Sequence, residues 1–231
     1  MAGEWTAKLA GKFLVIDGPD GAGKSTQLAL LAELLRAGGL DVCETRDPGG
    51  TPIGDRIRQV LLERDNGGMA QMCETFLFMA SRAQLVAEVI RPALARGQTV
   101  LCDRFVSSTI AYQGALGVDS RLIAELGEKA SEGLWPDLTV VLDLPPQIGM
   151  SRIGVVRKRL KDDRVPTLTQ PSLFGDRLEV RTSDYHEKVR LSFLSQARAD
   201  PARFVVVDGA GTVQDVHQRI VQGIRGRLAG G

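Results

Sequence analysis

The eight residues Gly18-Pro19-Asp20-Gly21-Ala22-Gly23-Lys24-Ser25 constrain this chain more than any other stretch. They satisfy G-x-x-x-x-G-K-[ST] directly after the apolar run Phe13–Asp17 and directly before a segment with helical apolar spacing. A strand, a phosphate-cradling loop and a helix must follow one another. Glycines let successive backbone N–H groups turn onto phosphate oxygens, and the helix start adds the positive end of its dipole. In such a loop Lys24 bridges the β- and γ-phosphates and the Ser25 hydroxyl ligates Mg²⁺. The chain is therefore expected to bind a nucleotide.

Around that loop the chain alternates. Short β-branched runs closed by Asp or Arg recur at Phe13–Asp17, Asp41–Arg46, Thr99–Asp103, Thr139–Asp143 and Phe204–Asp208, and read as parallel strands buried on both faces. Between them lie helically spaced segments: Leu28, Leu31 and Leu35, then Ile53, Ile57, Val60 and Leu61, then the stretch from Met69 to Leu94. The alternation predicts an α/β sheet with helices on both faces. With 231 residues and no Pro/Ser-rich linker, a single domain over 1–231 is expected. The charged run Arg157–Arg164 and the Pro-containing Val165–Gly175 read as a mobile excursion between two helices, within a lid at about 150–177.

Charge narrows the partners. The 29 Lys+Arg against 28 Asp+Glu leave a net charge of +1, too little for a general nucleic-acid coat protein. No apolar run approaches the roughly 18 residues of a bilayer span, and the first residues, with Glu4 and Lys8, lack the apolar core of a signal peptide. A cytoplasmic protein with no membrane partner is expected. Cys43, Cys73 and Cys102 are odd in number and lack metal-type spacing, so they read as reduced thiols.

A phosphate loop does not name a reaction, because switches, motors and small-molecule kinases share it. Asp47-Pro48-Gly49-Gly50 fits the D-x-x-G that GTP switches place near the γ-phosphate. The guanine-reading N-K-x-D is missing, since Asn66 is the only asparagine and Gly67 follows it. Other residues suggest an acceptor site for a small phosphorylated molecule. Asp103-Arg104 closes the third strand, where ligands bind in open α/β sheets. Asp103 suits the Mg²⁺ shell, and Arg104 a bidentate clamp on a phosphoryl acceptor; a plain salt bridge is the other reading of this pair. Phe78 and Arg82, four residues apart, share a helix face and offer a ring for stacking and a guanidinium for a base carbonyl, although Phe78 also suits a core.

Taken in order and at their spacing, several blocks resemble the thymidylate kinase family: Asp20–Thr26, Thr45–Pro52 with its D-P-G-G, Ser81-Arg82, and Asp103-Arg104-Phe105 through Ala111-Tyr112-Gln113-Gly114. Pro136-Asp137-Leu138-Thr139 and Asp176-Arg177-Leu178-Glu179 extend the likeness across nearly the whole chain. The resemblance implies a three-layer P-loop NTPase fold with five parallel strands, a homodimer, and ATP- and Mg²⁺-dependent phosphorylation of dTMP to dTDP. It implies that Gly18–Thr26, with Lys24 and Thr26, hold ATP together with Arg152, and that Ser25 and Asp103 hold the metal. It further implies that Phe78 stacks on thymine, Arg82 donates to its O4, and Thr109 and Gln113 meet its hydrogen-bonding edge. Tyr112 would lie under the deoxyribose; Arg104, helped by Arg58 and the Asp47 loop, would hold the 5′-phosphate; Asp20 would orient the sugar 3′-hydroxyl or the metal shell.

Two departures stand out. Family members usually carry Glu where Asp47 stands, and the lid before D-R-x-E is longer than usual. Within the family a transition-state arginine comes from the phosphate loop or from the lid. Here Gly21 occupies the loop position, so the resemblance assigns that work to the lid, with Arg152, Arg157 and Arg159 as candidates. A kinase for another nucleoside or nucleoside monophosphate, and a nucleotide-binding switch without turnover, are the alternatives.

Overall fold

The structure, a computed structural model, describes residues 3–63, 66, 68–162 and 183–229. Five strands, β1 (Phe13–Asp17), β2 (Val42–Arg46), β3 (Thr99–Asp103), β4 (Leu138–Asp143) and β5 (Phe204–Asp208), form one parallel sheet in the order β2-β3-β1-β4-β5. Val15 of β1 lies opposite Cys102 of β3 on one side and Thr139 of β4 on the other. Around the sheet run α1 (Gly3–Ala7), α2 (Lys24–Ala37), α3 (Pro52–Leu62), α4 (Gln71–Leu85), α5 (Arg91–Ala95), α6 (Val106–Gly114), α7 (Ser120–Ala130), α8 (Pro146–Asp162), α9 (Ser183–Ala199) and α10 (Val213–Ala229).

Alternation along β1 separates two cores. Leu14 and Ile16 pack with Leu28, Leu31 and Leu35 of α2 and with Ile220 and Ile224 of α10, while Phe13 and Val15 face Leu85, Ile90 and Phe105 on the other side. Helices therefore cover both faces, as the alternating pattern required. Because strand order reverses beside β1, the turns after β1 and β3 open a crevice at the carboxyl end of the sheet, where ligands collect in such folds. Local chemistry sets the element ends. Thr51, extended at φ −141°, accepts a hydrogen bond from Gly54 N with Pro52 following it, and so starts α3; Gly38 and the left-handed Gly39 end α2.

Four sequence expectations need correction. Only β1 is buried along its whole length; β2 and β5 are partly exposed because they are the sheet's edges. In α3 the buried residues are Gly54, Arg58 and Leu61, whereas Ile53 and Val60 face solvent, because the helix turns Arg58 inward toward the loop at Pro48. The stretch from Met69 to Leu94 is not one regular helix: a π-helical turn at Val86–Ile90 separates α4 from α5. Pro92 supplies no N–H to that ladder, which relaxes the usual hydrogen-bond step there. Finally, the charged run is not irregular from Arg157 onward, since α8 continues to Asp162. Arg, Lys and Leu are strong helix formers, and no proline intervenes before Pro166. The remainder of the expected lid, with Asp176-Arg177-Leu178-Glu179, lies outside the described residues.

Candidate active site

The phosphate loop leaves β1 through Gly18, whose positive φ of 130° is open to glycine, and enters α2 at Lys24. Gly21 is also left-handed, and a Cβ there would overlap the carbonyl oxygen of Gly149 in α8. The loop thus has no room for a side chain at 21, which gives a steric reason for the missing loop arginine. Lys24 Nζ is buried and donates to the carbonyls of Gly18 (3.0 Å) and Pro19 (2.8 Å). Burial, reinforced by the neighbouring Arg104, lowers its pKa to about 8. Arg152 of α8 reaches over to donate to Gly21 O (3.4 Å) and Gly209 O (3.2 Å).

Across the crevice, Arg104 follows β3 in a left-handed conformation, φ 72°. Its guanidinium donates to Asp20 Oδ1 (2.5 Å), Ser108 Oγ (3.0 Å) and Gly18 O (3.3 Å), and lies 5.0 Å from the centre of the Tyr112 ring. The Asp20 carboxylate is thus bound to Arg104. Arg58 donates to Pro48 O (3.0 Å); burial first and the nearby Arg46 second bring its pKa down to about 10. Lys24 and Arg58 are both lowered by burial and by a neighbouring cation, the electrostatics of a place built for an anion.

A third group lies between α4 and α6. Arg82, 1% exposed, donates from Nε to Asp47 Oδ2 (2.6 Å), from Nη2 to Thr109 Oγ1 (2.8 Å) and from Nη1 to Met79 Sδ (3.0 Å). Gln113 Nε2 donates to Glu74 Oε1 (2.8 Å). Phe78 and Tyr112 are buried in one apolar cluster with Phe193 of α9. The Asp47 carboxylate therefore meets the expected base-reading arginine, a link that sequence spacing did not reveal.

A sequence model described as thymidylate kinase matches residues 16–220. The chain belongs to the thymidylate kinase family. Its relatives include the thymidylate kinases of Pseudomonas savastanoi pv. phaseolicola, 46% identical over 209 residues and covering 90% of this chain and 92% of that one, and of Desulforapulum autotrophicum, 42% identical over 217 residues and covering 94% and 92%. The crystal structure of thymidylate kinase from Ehrlichia chaffeensis superposes with a TM-score of 0.70 at 28% identity, covering 91% of this chain and 97% of that chain.

Thymidylate kinases use ATP as phosphate donor, generally with Mg²⁺. The residues present suit that ion. Ser25 Oγ donates to Asp103 Oδ2 (2.6 Å), and Asp103 Oδ1 is buried without a hydrogen-bond partner. Among the described residues no group of three or more His, Cys, Asp or Glu could hold a metal alone, so phosphate oxygens and water would complete the shell, as Mg²⁺ prefers. Thr26 lies exposed in the first turn of α2, and Arg157 and Arg159 lie on α8.

Two buried carboxylates that contact the expected site residues escaped the sequence reading. Asp17, fully buried, accepts from Gly18 N (2.9 Å), Ser107 Oγ (2.6 Å) and Ser108 Oγ (2.7 Å) and stands 3.6 Å from Arg104, tying the phosphate loop to that arginine. Burial raises its pKa against the pull of Arg104. A carboxylate ending an apolar strand was its signal. Glu74, 2% exposed, was hidden inside a helical pattern.

Proposed function

We propose that this chain transfers the γ-phosphoryl group of ATP to dTMP, giving dTDP for dTTP synthesis. The observation that carries the reading is the pairing, in one crevice, of a phosphate loop with a buried Arg82–Thr109 contact four residues from Phe78. The acceptor is already a phosphate monoester, anionic near neutral pH, so attack on the γ-phosphorus needs positioning and charge neutralisation rather than a strong base. Lys24, with the loop N–H groups of Gly18–Thr26, holds the donor phosphates. Arg104 and Arg58 hold the 5′-phosphate, and Asp20 and Asp17 keep Arg104 aimed. Ser25 and Asp103 would hold Mg²⁺, which supplies charge neutralisation between the phosphates.

Phe78 stacks on the base, Arg82 with Thr109 and Gln113 reads its edge, and Tyr112 lies against the sugar. Asp47 braces Arg82 and, through its loop, the phosphate side. Arg152, Arg157 and Arg159 supply the positive charge that Gly21 does not carry. Residues 1–231 act as a single kinase domain with its lid at about 150–177. The cytoplasm is the compartment we assign; the three free cysteines accord with it, and among the described residues no helix is long and apolar enough to cross a membrane. A homodimer is supported by Ile53 and Val60 on α3 and Phe76 on the adjoining α4, exposed at 50%, 41% and 53%.

A coupled ADP-release assay across dTMP, dUMP, UMP, CMP, dGMP and AMP tests the assignment. dTMP is expected to be the preferred acceptor, and turnover of dGMP or CMP about tenfold faster than dTMP would overturn it.

A further inference from the structure

Two rungs join α4 to α6. Arg82 Nη2 donates to Thr109 Oγ1 at 2.8 Å, and Gln113 Nε2 donates to Glu74 Oε1 at 2.8 Å. Glu74, Phe78 and Arg82 are successive residues at i, i+4 and i+8 on α4, and Thr109 and Gln113 are i and i+4 on α6, so each set shares a helix face. Phe78 therefore sits between the rungs. All four rung residues are buried.

A primary amide has a donor end and an acceptor end, and its environment decides which way each points. Glu74 Oε1 takes the nitrogen end of Gln113. The other end, Gln113 Oε1, is left buried with no hydrogen-bond partner. Turning the amide over would set two oxygens against each other at hydrogen-bond separation and expose a donor where the acceptor now lies. A buried acceptor without a partner is costly until a donor arrives.

We infer that Glu74 is a positioning residue that sets the polarity of the base site: by holding the Gln113 amide nitrogen it presents Gln113 Oε1 as an acceptor, selecting a pyrimidine that carries a proton on N3. This rests on the dTMP reading of the site. Thymine offers O4 as an acceptor and N3–H as a donor on adjacent positions. Arg82 is a donor that cannot become an acceptor, and Gln113 Oε1 is an acceptor as long as Glu74 fixes it. Cytosine presents the reverse, an amino donor and an N3 acceptor, and so meets a mismatch at both positions. A site built to pair a hydrogen-bonding group rejects the analogue that leaves it unpaired far more strongly than a merely apolar pocket does. Arg82 alone would read half of that edge; Glu74 completes it without touching the base.

The test is kcat/KM for dTMP and dCMP, with ATP KM, in the wild-type protein, Glu74→Gln, Gln113→Leu and the double variant. Glu74→Gln is nearly isosteric but can offer either a donor or an acceptor, so the Gln113 amide is freed to turn. The preference for dTMP over dCMP should fall by about tenfold or more, chiefly through a higher dTMP KM, with ATP KM unchanged. In the Gln113→Leu background the same substitution should alter the preference by less than about twofold, because the residue it acts through is gone. Should Glu74→Gln fold poorly, Glu74→Asp, which keeps an acceptor on a shorter stem, should lower the preference by about threefold. An unmoved preference in the foldable Glu74 variant, or an equal loss with and without Gln113, overturns the inference. Wild-type protein that fails to phosphorylate dTMP overturns the functional reading instead, so the two failures are told apart.

Discussion

The acceptor half of the crevice and the donor half hold their charges in different ways. In the acceptor half two buried arginines sit on buried carboxylates, Arg82 on Asp47 at 2.6 Å and Arg104 on Asp20 at 2.5 Å, while Arg58 donates to the Pro48 carbonyl. In the donor half Lys24 rests on the backbone carbonyls of Gly18 and Pro19, and Arg152 on those of Gly21 and Gly209. A carbonyl is a weaker partner for a cation than a phosphate oxygen. Arg82 and Arg104 are thus held in place by carboxylates of the protein itself, whereas Lys24 and Arg152 have partners that a phosphate oxygen outcompetes.

That contrast is broken most directly at Lys24. Lys24→Ala removes the charge that gains most from the transition state, and kcat is expected to fall by about 10²–10³ or more in steady-state turnover. An unchanged kcat would falsify the phosphate-loop role. On the acceptor side Arg82→Ala should lower kcat/KM for dTMP by about 1–3 kcal/mol, with ATP KM little changed. A comparable loss for ATP would show that the two halves are not energetically separate. Asp47, whose pKa burial already raises against the pull of Arg82, would be left as an uncompensated buried carboxyl, so thermal unfolding of this variant should also be measured.

The lid sharpens the comparison from the other side. Replacing Arg157, Lys158 and Arg159 together by Ala should depress kcat by about tenfold or more while dTMP binding stays nearly intact, the pattern expected of groups that act mainly in a closed transition state. Full kcat in the triple variant would move the assignment to Arg152 or Arg177. The smallest effect is a pH dependence of the donor half. With the Lys24 pKa lowered to about 8, the protein without ligand loses that positive charge as pH rises through this value, and a bound triphosphate must restore the proton. ATP affinity should therefore decline above that pH, by at most about tenfold per unit, and the decline should vanish in Lys24→Ala when followed by calorimetric titration. An equally steep decline in the variant would place the titrating group elsewhere.

How much of this was readable beforehand follows from the range of the interactions. The strand-loop-helix around Gly18–Ser25 and the five apolar runs are local or periodic properties, so the sequence alone determined the strands, the phosphate loop and, through D-P-G-G and D-R-F…A-Y-Q-G, the family, while the order β2-β3-β1-β4-β5 came from the structure. Tertiary structure alone decided which polar groups meet. Asp47 reaches Arg82 across 35 positions of chain, Gln113 reaches Glu74 across 39, and Asp17 reaches Ser108 across 91. It also decided that α3 turns Arg58 inward and Ile53 outward, against the simplest reading of its apolar spacing. Periodicity says that a side chain lies on a face; only packing says what faces it, and for a buried carboxylate or amide that partner sets its charge and its direction.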